Sequence, residues 1–288
     1  MNFVVFAWIG SLAYAAETIL AKLTSRYGMK NPWYLNFLWS TFILLLILPV
    51  AYLSGQTGWP NSWKYILWAA FFYGLSNILY ILALCLLDIT VFSPLFNLRV
   101  AFSVIIAGLF LHESLTPIQL ILVVIIMIAG IFVNAEEKFN LKKIWSKGLI
   151  IALAEMIDLS LMGVFIKLAM SENSYWQVTL PMMGIGEILM IFTIPLFIKE
   201  VKTLTGAQAG STALLAVASV VGTLACNKAF AENVSVTTVI LSVPLSMIIA
   251  GVLSYIKPEI LEHHTTRIYI IRFTAAFVMI AGAIKLSL

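Results

Sequence analysis

Apolar residues in this chain come in long unbroken runs, with no alternation of apolar and polar positions. Ten such runs lie near residues 3–24, 33–54, 64–87, 91–111, 117–134, 147–170, 177–197, 211–231, 236–256 and 266–286, each bounded by charge, Pro, Asn or Gly. A helix needs about 20 residues, rising 1.5 Å each, to cross the roughly 30 Å hydrocarbon core of a bilayer. A segment in lipid must also satisfy its own backbone, which leaves only helices or a closed barrel. The short alternating strands of a barrel are missing from the pattern. The runs therefore predict an all-α integral membrane protein with ten transmembrane helices. Their loops are short, the longest running from Ala135 to Ser146 at the midpoint.

The two sides of that loop, 1–138 and 139–288, read as two copies of one five-helix unit. Ile105-Ile-Ala-Gly108 in the fourth run recurs as Ile248-Ile-Ala-Gly251 in the ninth, and Met127-Ile-Ala-Gly130 in the fifth as Met279-Ile-Ala-Gly282 in the tenth. Ala21-Lys22-Leu23 in the first run corresponds to Ile166-Lys167-Leu168 in the sixth, and Pro49 in the second to Pro195 in the seventh. Five spans is an odd number, so two copies in one chain must lie in opposite orientations. Inverted repeats of this kind place a binding site near the membrane midplane, and rocking opens it to each side in turn. This pattern points to a secondary transporter.

Composition supports the membrane class. Hydrophobic residues make up 62% of the 288 and charged residues 10%, with a mean hydropathy of +1.03, against about 25% charged in a soluble domain. The runs recur along the whole chain, which a lone cleavable signal segment would not do. The net charge of +4 comes with no basic run, so nucleic acid is not an expected partner. Cys85 and Cys226 both fall inside apolar runs and read as small core residues. Eleven Lys and Arg residues (Lys22, Arg26, Lys30, Lys138, Lys142, Lys143, Lys147, Lys199, Lys202, Lys257 and Arg267) lie on the side reached after odd-numbered runs, and four (Lys64, Lys167, Lys228 and Lys285) on the other. By the positive-inside rule the richer side is cytoplasmic, with both termini outside.

The candidate chemistry lies in the few ionisable residues inside the runs. Glu155 and Asp158 stand near the middle of the sixth run, on one helix face about one turn apart. Each ionised carboxylate at bilayer depth costs about 2.5–3.5 kcal/mol on insertion scales, so the two must face a cavity, a cation, or each other across a shared proton. Glu187 lies in the seventh run and Glu17 in the first, with Arg99, Arg272 and Lys228 in the fourth, tenth and end of the eighth. One reading pairs these acids and bases as locks between helices. The other makes them a site, because a carboxyl withdrawn from water can bind a proton or a cationic cargo in turn. Tyr73, Asn77 (with Ser76) and Tyr80 recur at helical spacing in the third run and would orient a small polar ligand. Lys228 also reads as a snorkelling interfacial residue, and Trp33, Trp59, Trp63 and Trp176 as interfacial anchors.

His112-Glu113 and Glu262-His263-His264 fall in loops on opposite sides and lack the His-Glu-x-x-His spacing of a zinc protease, so no metal is expected. Phosphate-cradling Gly-Lys-Ser/Thr loops and a Gly-x-Ser-x-Gly elbow are missing from the sequence, which excludes ATP hydrolysis by this chain. No cofactor is expected.

With these features the chain resembles the ten-helix EamA-type branch of the drug/metabolite transporter superfamily. The resemblance rests on the paired five-helix units and on Gly108-Leu-Phe-Leu-His-Glu113-Ser-Leu-Thr-Pro117-Ile-Gln. This is an aliphatic run, Glu and a polar turn, followed by a helix that ends in a Gly-containing motif, here Met127-Ile-Ala-Gly130. In the second copy Tyr255-Ile-Lys-Pro-Glu259-Ile-Leu261 takes that place, followed by the extra Glu262-His263-His264. The chain departs from the family pattern at Asn36-Phe-Leu-Trp39, where the family commonly has an Arg early in its second helix. The resemblance implies cytoplasmic termini, opposite to the charge count, and a cavity surrounded by runs 1, 3, 4, 6, 8 and 9.

The resulting expectation is a secondary active transporter in the cytoplasmic membrane of a prokaryote, surrounded by lipid, as a monomer or homodimer. It would be a proton-coupled exporter of small polar metabolites such as amino acids or amines. Glu155 and Asp158 would carry a proton or meet a cargo ammonium, and Arg99 would pair with a carboxylate. Glu187, Glu17, Tyr73, Asn77 and Tyr80 would complete the site, while Pro94, Pro181 and Pro244 would kink helices for rocking. One alternative carries anionic phosphorylated or nucleotide-linked metabolites on Arg99, Lys228 and Arg272. A remote one is an intramembrane enzyme using Glu155 and Asp158 as an aspartyl-type dyad, although such dyads draw their acids from two helices.

Overall fold

The computed structural model describes residues 2–55, 58–87, 89–112, 115–133, 147–200, 204–256 and 266–287. The expected repeat boundary, Glu113, Glu259 and Glu262-His263-His264 lie outside the described residues, as do the side chains of Pro94 and Arg272. Among the described residues there are eleven α-helices and no strand. They are α1 (Phe3–Leu23), α2 (Pro32–Leu53), α3 (Lys64–Leu86), α4 (Ile89–Leu111), α5 (Pro117–Val133), α6 (Lys147–Glu172), α7 (Tyr175–Ile188), α8 (Gly206–Glu232), α9 (Val234–Leu241), α10 (Leu245–Ile256) and α11 (Thr266–Ser287). Among the described residues, seven stretches are long and apolar enough to cross a membrane: Phe3–Gly28, Pro32–Leu53, Lys64–Leu86, Lys147–Glu172, Tyr175–Leu196, Gly206–Glu232 and Val234–Leu253. Shorter apolar stretches, Arg99–Leu111, Pro117–Ala129 and Phe273–Gly282, lie in α4, α5 and α11. Large apolar side chains such as Leu48, Leu109, Phe192 and Phe277 point outward, as a lipid-facing surface requires.

Local chemistry sets the helix ends. The Asn31 side chain accepts from the N–H groups of Trp33 and Tyr34, and Pro32 sits where a missing N–H costs nothing. Thr116 with Gln119, and Thr205 with Gln208, form reciprocal capping boxes on α5 and α8. At C-terminal ends, where carbonyls lack partners, two lysines from neighbouring helices fill in. Lys22 Nζ donates to the carbonyls of Leu84 (3.1 Å) and Leu87 (2.7 Å) at the end of α3. Lys167 Nζ donates to that of Glu232 (2.8 Å) at the end of α8.

Two expected runs depart from a single α-helix. The seventh passes at Leu189 into tighter 3₁₀ turns that extend to Leu196 and contain Pro195. A proline there lacks an N–H for the α-helical bond and crowds the carbonyl four residues back. The ninth run, expected as one helix over 236–256, is two helices separated by Ser242, Val243 and Pro244. Pro244 cannot donate to the Ile240 carbonyl, which accepts instead from the Val243 N–H (3.3 Å) and from the Ser11 hydroxyl of α1 (3.3 Å). Pro49 and Pro181 lie inside α2 and α7 without breaking them.

The helices pair across the two halves. α1 lies along α8, and α3 along α6; α2 packs on α8 and α7 on α3; α10 rests on α1 and α4 on α6. α2 also meets α7, α4 meets α9, and α5 lies against α11. Lipid offers no hydrophobic drive to bring helices together, so close approach depends on small residues. Gly222 lies under the Tyr14 ring, and Gly74 of α3 abuts Gly186 of α7. A Cβ at Gly186 would come within 2.6 Å of Tyr73 Cδ1 and 2.9 Å of the Ala70 carbonyl oxygen. Gly186→Val should therefore cost about 1–3 kcal/mol by overpacking and lower the thermal midpoint in detergent. Gly184→Ala, where a Cβ meets open space, should not. Equal midpoints for the two variants would contradict this packing.

Candidate binding cavity

A cavity offering about 90 Å³ to water lies between α1, α2, α3, α4, α6, α8 and the broken α9–α10 segment. At about 10–15 Å³ of such space per water, it has room for several waters or the polar part of a small metabolite. α2 contributes Trp39, an addition to the expected set of runs. The wall is mostly polar and aromatic. α1 brings Ser11, Tyr14, Glu17 and Thr18, and α3 brings Tyr73, Ser76, Asn77 and Tyr80. Arg99 comes from α4, Glu155 from α6, and Ser219 and Thr223 from α8.

Hydrogen bonds hold these side chains in place. Tyr80 Oη donates to Thr18 Oγ1 (3.1 Å), whose own hydroxyl donates to the Tyr14 carbonyl (2.8 Å). Tyr14 Oη and Thr223 Oγ1 are 3.3 Å apart, tying α1 to α8. Trp39 Nε1 donates to Ser219 Oγ at 2.9 Å, and the Glu17 carboxyl also meets Ser219. The Trp39 and Tyr80 rings lie 5.9 Å apart, and Tyr80 meets Phe92 edge-on at 5.6 Å. The cavity therefore has rigid aromatic walls and a small number of charged groups.

The sequence-predicted residues separate into two groups. Glu155, Arg99, Glu17, Tyr73, Asn77 and Tyr80 line the cavity. Asp158 and Glu187 are buried but do not line it. On α6 the cavity-facing residues are Glu155, Leu159 and Met162, a stripe that follows the helical repeat. Asp158 lies about 60° round the helix from Glu155 and falls at the edge of that stripe. The expected pair thus presents one carboxyl, that of Glu155, to the cavity.

Arg99 is 3% exposed and lies within electrostatic reach of both Glu155 and Asp158. Its Nη2 donates to the Leu159 carbonyl (3.2 Å), and its guanidinium lies 5.7 Å from the Phe230 ring centre. Its Nε, Glu155 Oε2 and both Asp158 oxygens have no hydrogen-bond partner among the described residues. Glu187 stands behind the cavity wall, where Oε1 accepts from Asn77 Nδ2 at 3.0 Å.

Lys228 does not join Arg99. It is exposed, with its ammonium 5.2 Å from the Phe6 ring centre and 5.5 Å from that of Tyr175. A clamp of Arg99, Lys228 and Arg272 is therefore not assembled from the described side chains. Sequence reasoning missed Tyr14, Thr18, Trp39, Ser219 and Thr223. The only trace they leave is a four-residue spacing on α1 and on α8, and small residues that merely pack helices share it.

An all-helical fold that buries charged groups around a central cavity is the anatomy of a membrane transporter. Residues 1–135, a little under half of the chain, match the model of the EamA-like transporter family, which lies within the drug/metabolite transporter superfamily. Members of the family are transporters, and the chain is an integral membrane protein. A solved crystal structure resembles it with a TM-score of 0.74 at 15% identity, covering 98% of this chain and 94% of that one. At that identity the likeness shows the fold alone. No curated protein sequence matches the chain.

Arg99 is the buried base within electrostatic reach of Glu155 and Asp158, so removing its charge takes away their described counter-charge. Arg99→Met should therefore lower the thermal midpoint, and adding Glu155→Gln should recover part of the loss, with a coupling of about 0.5–3 kcal/mol in a double-mutant cycle. Strict additivity would mean that the two groups do not act on each other.

Proposed function

We propose that the protein is a secondary active transporter, a proton-coupled exporter of small polar metabolites such as amino acids or amines. It works by alternating access to the cavity, in the cytoplasmic membrane of a prokaryote. The observation that carries this reading is the charge balance of the interior. Glu17, Glu155, Asp158 and Glu187 are all buried among the described residues, and Arg99 is the buried base. One guanidinium can neutralise one carboxylate. An ionised surplus in a low-dielectric interior is too costly to keep, so it must be met by protons or by a cationic cargo. Both are what a proton-coupled carrier of amines or amino acids exchanges. Arg99 gives a zwitterionic cargo a partner for its carboxylate, by a charge-assisted hydrogen bond.

Duplication and inversion supply the moving parts of this reading. Exchanging α1, α2, α3, α4 and α5 for α6, α7, α8, α9–α10 and α11 turns the cross-half pairings into one another. α1 on α8 becomes α6 on α3, and α2 on α8 becomes α7 on α3. The motif lysines follow the same exchange, since Lys22 of α1 closes the end of α3 and Lys167 of α6 closes the end of α8. The ten-span count is supported by the lengths of α4, α5 and α11, which have 23, 17 and 22 residues. The break between α9 and α10 puts Leu241, Val243 and Ser246 on the cavity wall, as in carriers whose discontinuous helices form the binding site.

Flux into and out of proteoliposomes tests the function. Outward gradients of lysine, leucine, tyramine and glucose 6-phosphate would be imposed in turn, with an internal pH dye. Wild type should take up protons with an amine or amino acid, and Glu155→Gln should lose at least about tenfold of that rate. A full rate in the variant would remove the cavity carboxyl from the mechanism. Flux with the sugar phosphate alone would move the cargo to the anionic class.

A further inference from the structure

Glu187 sits in a polar pocket of its own, where α2 and α3 pack on α7. It is 1% exposed, and its Oε2 has no partner among the described residues. Two other buried oxygens without partners, Asn36 Oδ1 and Ser40 Oγ, lie one turn apart on α2. Ser40 lies near the Glu187 carboxyl without a hydrogen bond to it, and Asn36 Nδ2 donates to the sulfur of Met190, three residues beyond Glu187, at 3.2 Å. Asn77 and Tyr73 both touch Glu187 and both line the cavity, whereas Asn36, Ser40 and Glu187 do not line it. The ionisable neighbours are few. Tyr73 faces Glu187 from α3, Glu17 of α1 acts on it through space, α2 brings only the amide and the hydroxyl, and no described Lys, Arg or His stands against it.

Glu187 Oε2 is a buried carboxyl oxygen with no donor among the described residues. A proton on Oε2 makes that buried, partnerless oxygen part of a neutral acid and removes the cost of an ionised carboxylate there. Without the proton, the carboxylate keeps the Asn77 amide on Oε1 and is otherwise a buried charge with no described base beside it. The cavity does not extend to these atoms, so the pocket suits a proton and leaves no room for a hydrated cation.

Building on proton-coupled transport, we propose that Glu187 carries the coupling proton at a site separate from Glu17 and Glu155, which meet the cargo, and linked to the cavity through Asn77 and Tyr73. The proton arrives from hydronium in cavity water on one side of the membrane, so that an O–H bond breaks there as one forms at Oε2, and it leaves by the reverse exchange to cavity water on the other side. A charged Glu187 holds the Asn77 amide more tightly than a neutral one does. Cargo reaching Asn77 from the cavity therefore meets a different partner in the protonated and deprotonated states, and this couples the two ligands.

Two measurements on the full chain in lipid test the assignment. In the first, tyramine or leucine counterflow, which moves no net protons, is compared with proton uptake under a cargo gradient. Glu187→Gln should keep counterflow within about twofold of wild type and lose proton uptake at least tenfold. Proton uptake at the wild-type ratio, or loss of counterflow together with uptake, would overturn the proposal. Wild type that moves no protons with any cargo would instead bring down the transport reading itself. The second measurement needs no cargo and no neutral variant. In pH-difference infrared spectra, Glu187→Asp should shift one carboxyl C=O band, whereas an unchanged spectrum would show that this group does not exchange its proton and would overturn the assignment.

Discussion

Burying carboxyl groups without matching bases is the condition around which this molecule is organised. Among the described residues, four acids and one guanidinium are nearly or wholly withdrawn from solvent, inside a fold whose outer surface is apolar. A soluble enzyme can relieve such an excess with water or surface counter-ions. A membrane interior cannot, because every uncompensated charge there is expensive. The hydrogen-bonded hydroxyls, amides and indole of the wall hold a polar space open in that interior, and Arg99 offsets part of the charge. The remainder must come from outside the chain.

The helix arrangement makes that space possible and limits it. Glycines let α3 meet α7 and α1 meet α8 at close range, while bulky aromatic residues, Trp39, Tyr80 and Phe230 among them, keep the centre open. The break at Pro244 brings a stretch of irregular backbone to the cavity wall. The carbonyl that the break frees at Ile240 is satisfied from another helix by Ser11, so the irregularity is stable without being rigidly helical. These features pack the helices around a polar centre, one wall of which carries the break between α9 and α10.

Much of the fold could be read from the chain because bilayer thickness dictates the length of an apolar run. The candidate site was partly legible for a related reason: Glu17, Arg99 and Glu155 are conspicuous as charges inside apolar runs. Their direction was less legible. Asp158 shares a face with Glu155 by spacing, yet a stripe defined by Leu159 and Met162 leaves it at the edge, and only the packing of α6 decides where that stripe points. Nor could the sequence distinguish Pro244, which breaks its helix, from Pro181, which does not. Thr18, Ser219 and Thr223 gave no signal, since hydroxyl residues serve equally as packing residues in membrane helices.

The claim that protons or a cation must neutralise the buried acids can be tested without a membrane gradient. Purified protein in weakly buffered detergent solution, containing a pH indicator, would be mixed with tyramine at a pH near neutrality. If the cavity acids are held neutral by exchangeable protons, the ammonium displaces them and the solution acidifies in proportion to the protein bound. Binding of tyramine with no proton release would contradict the account, because the acids would then already be ionised and balanced by some other means.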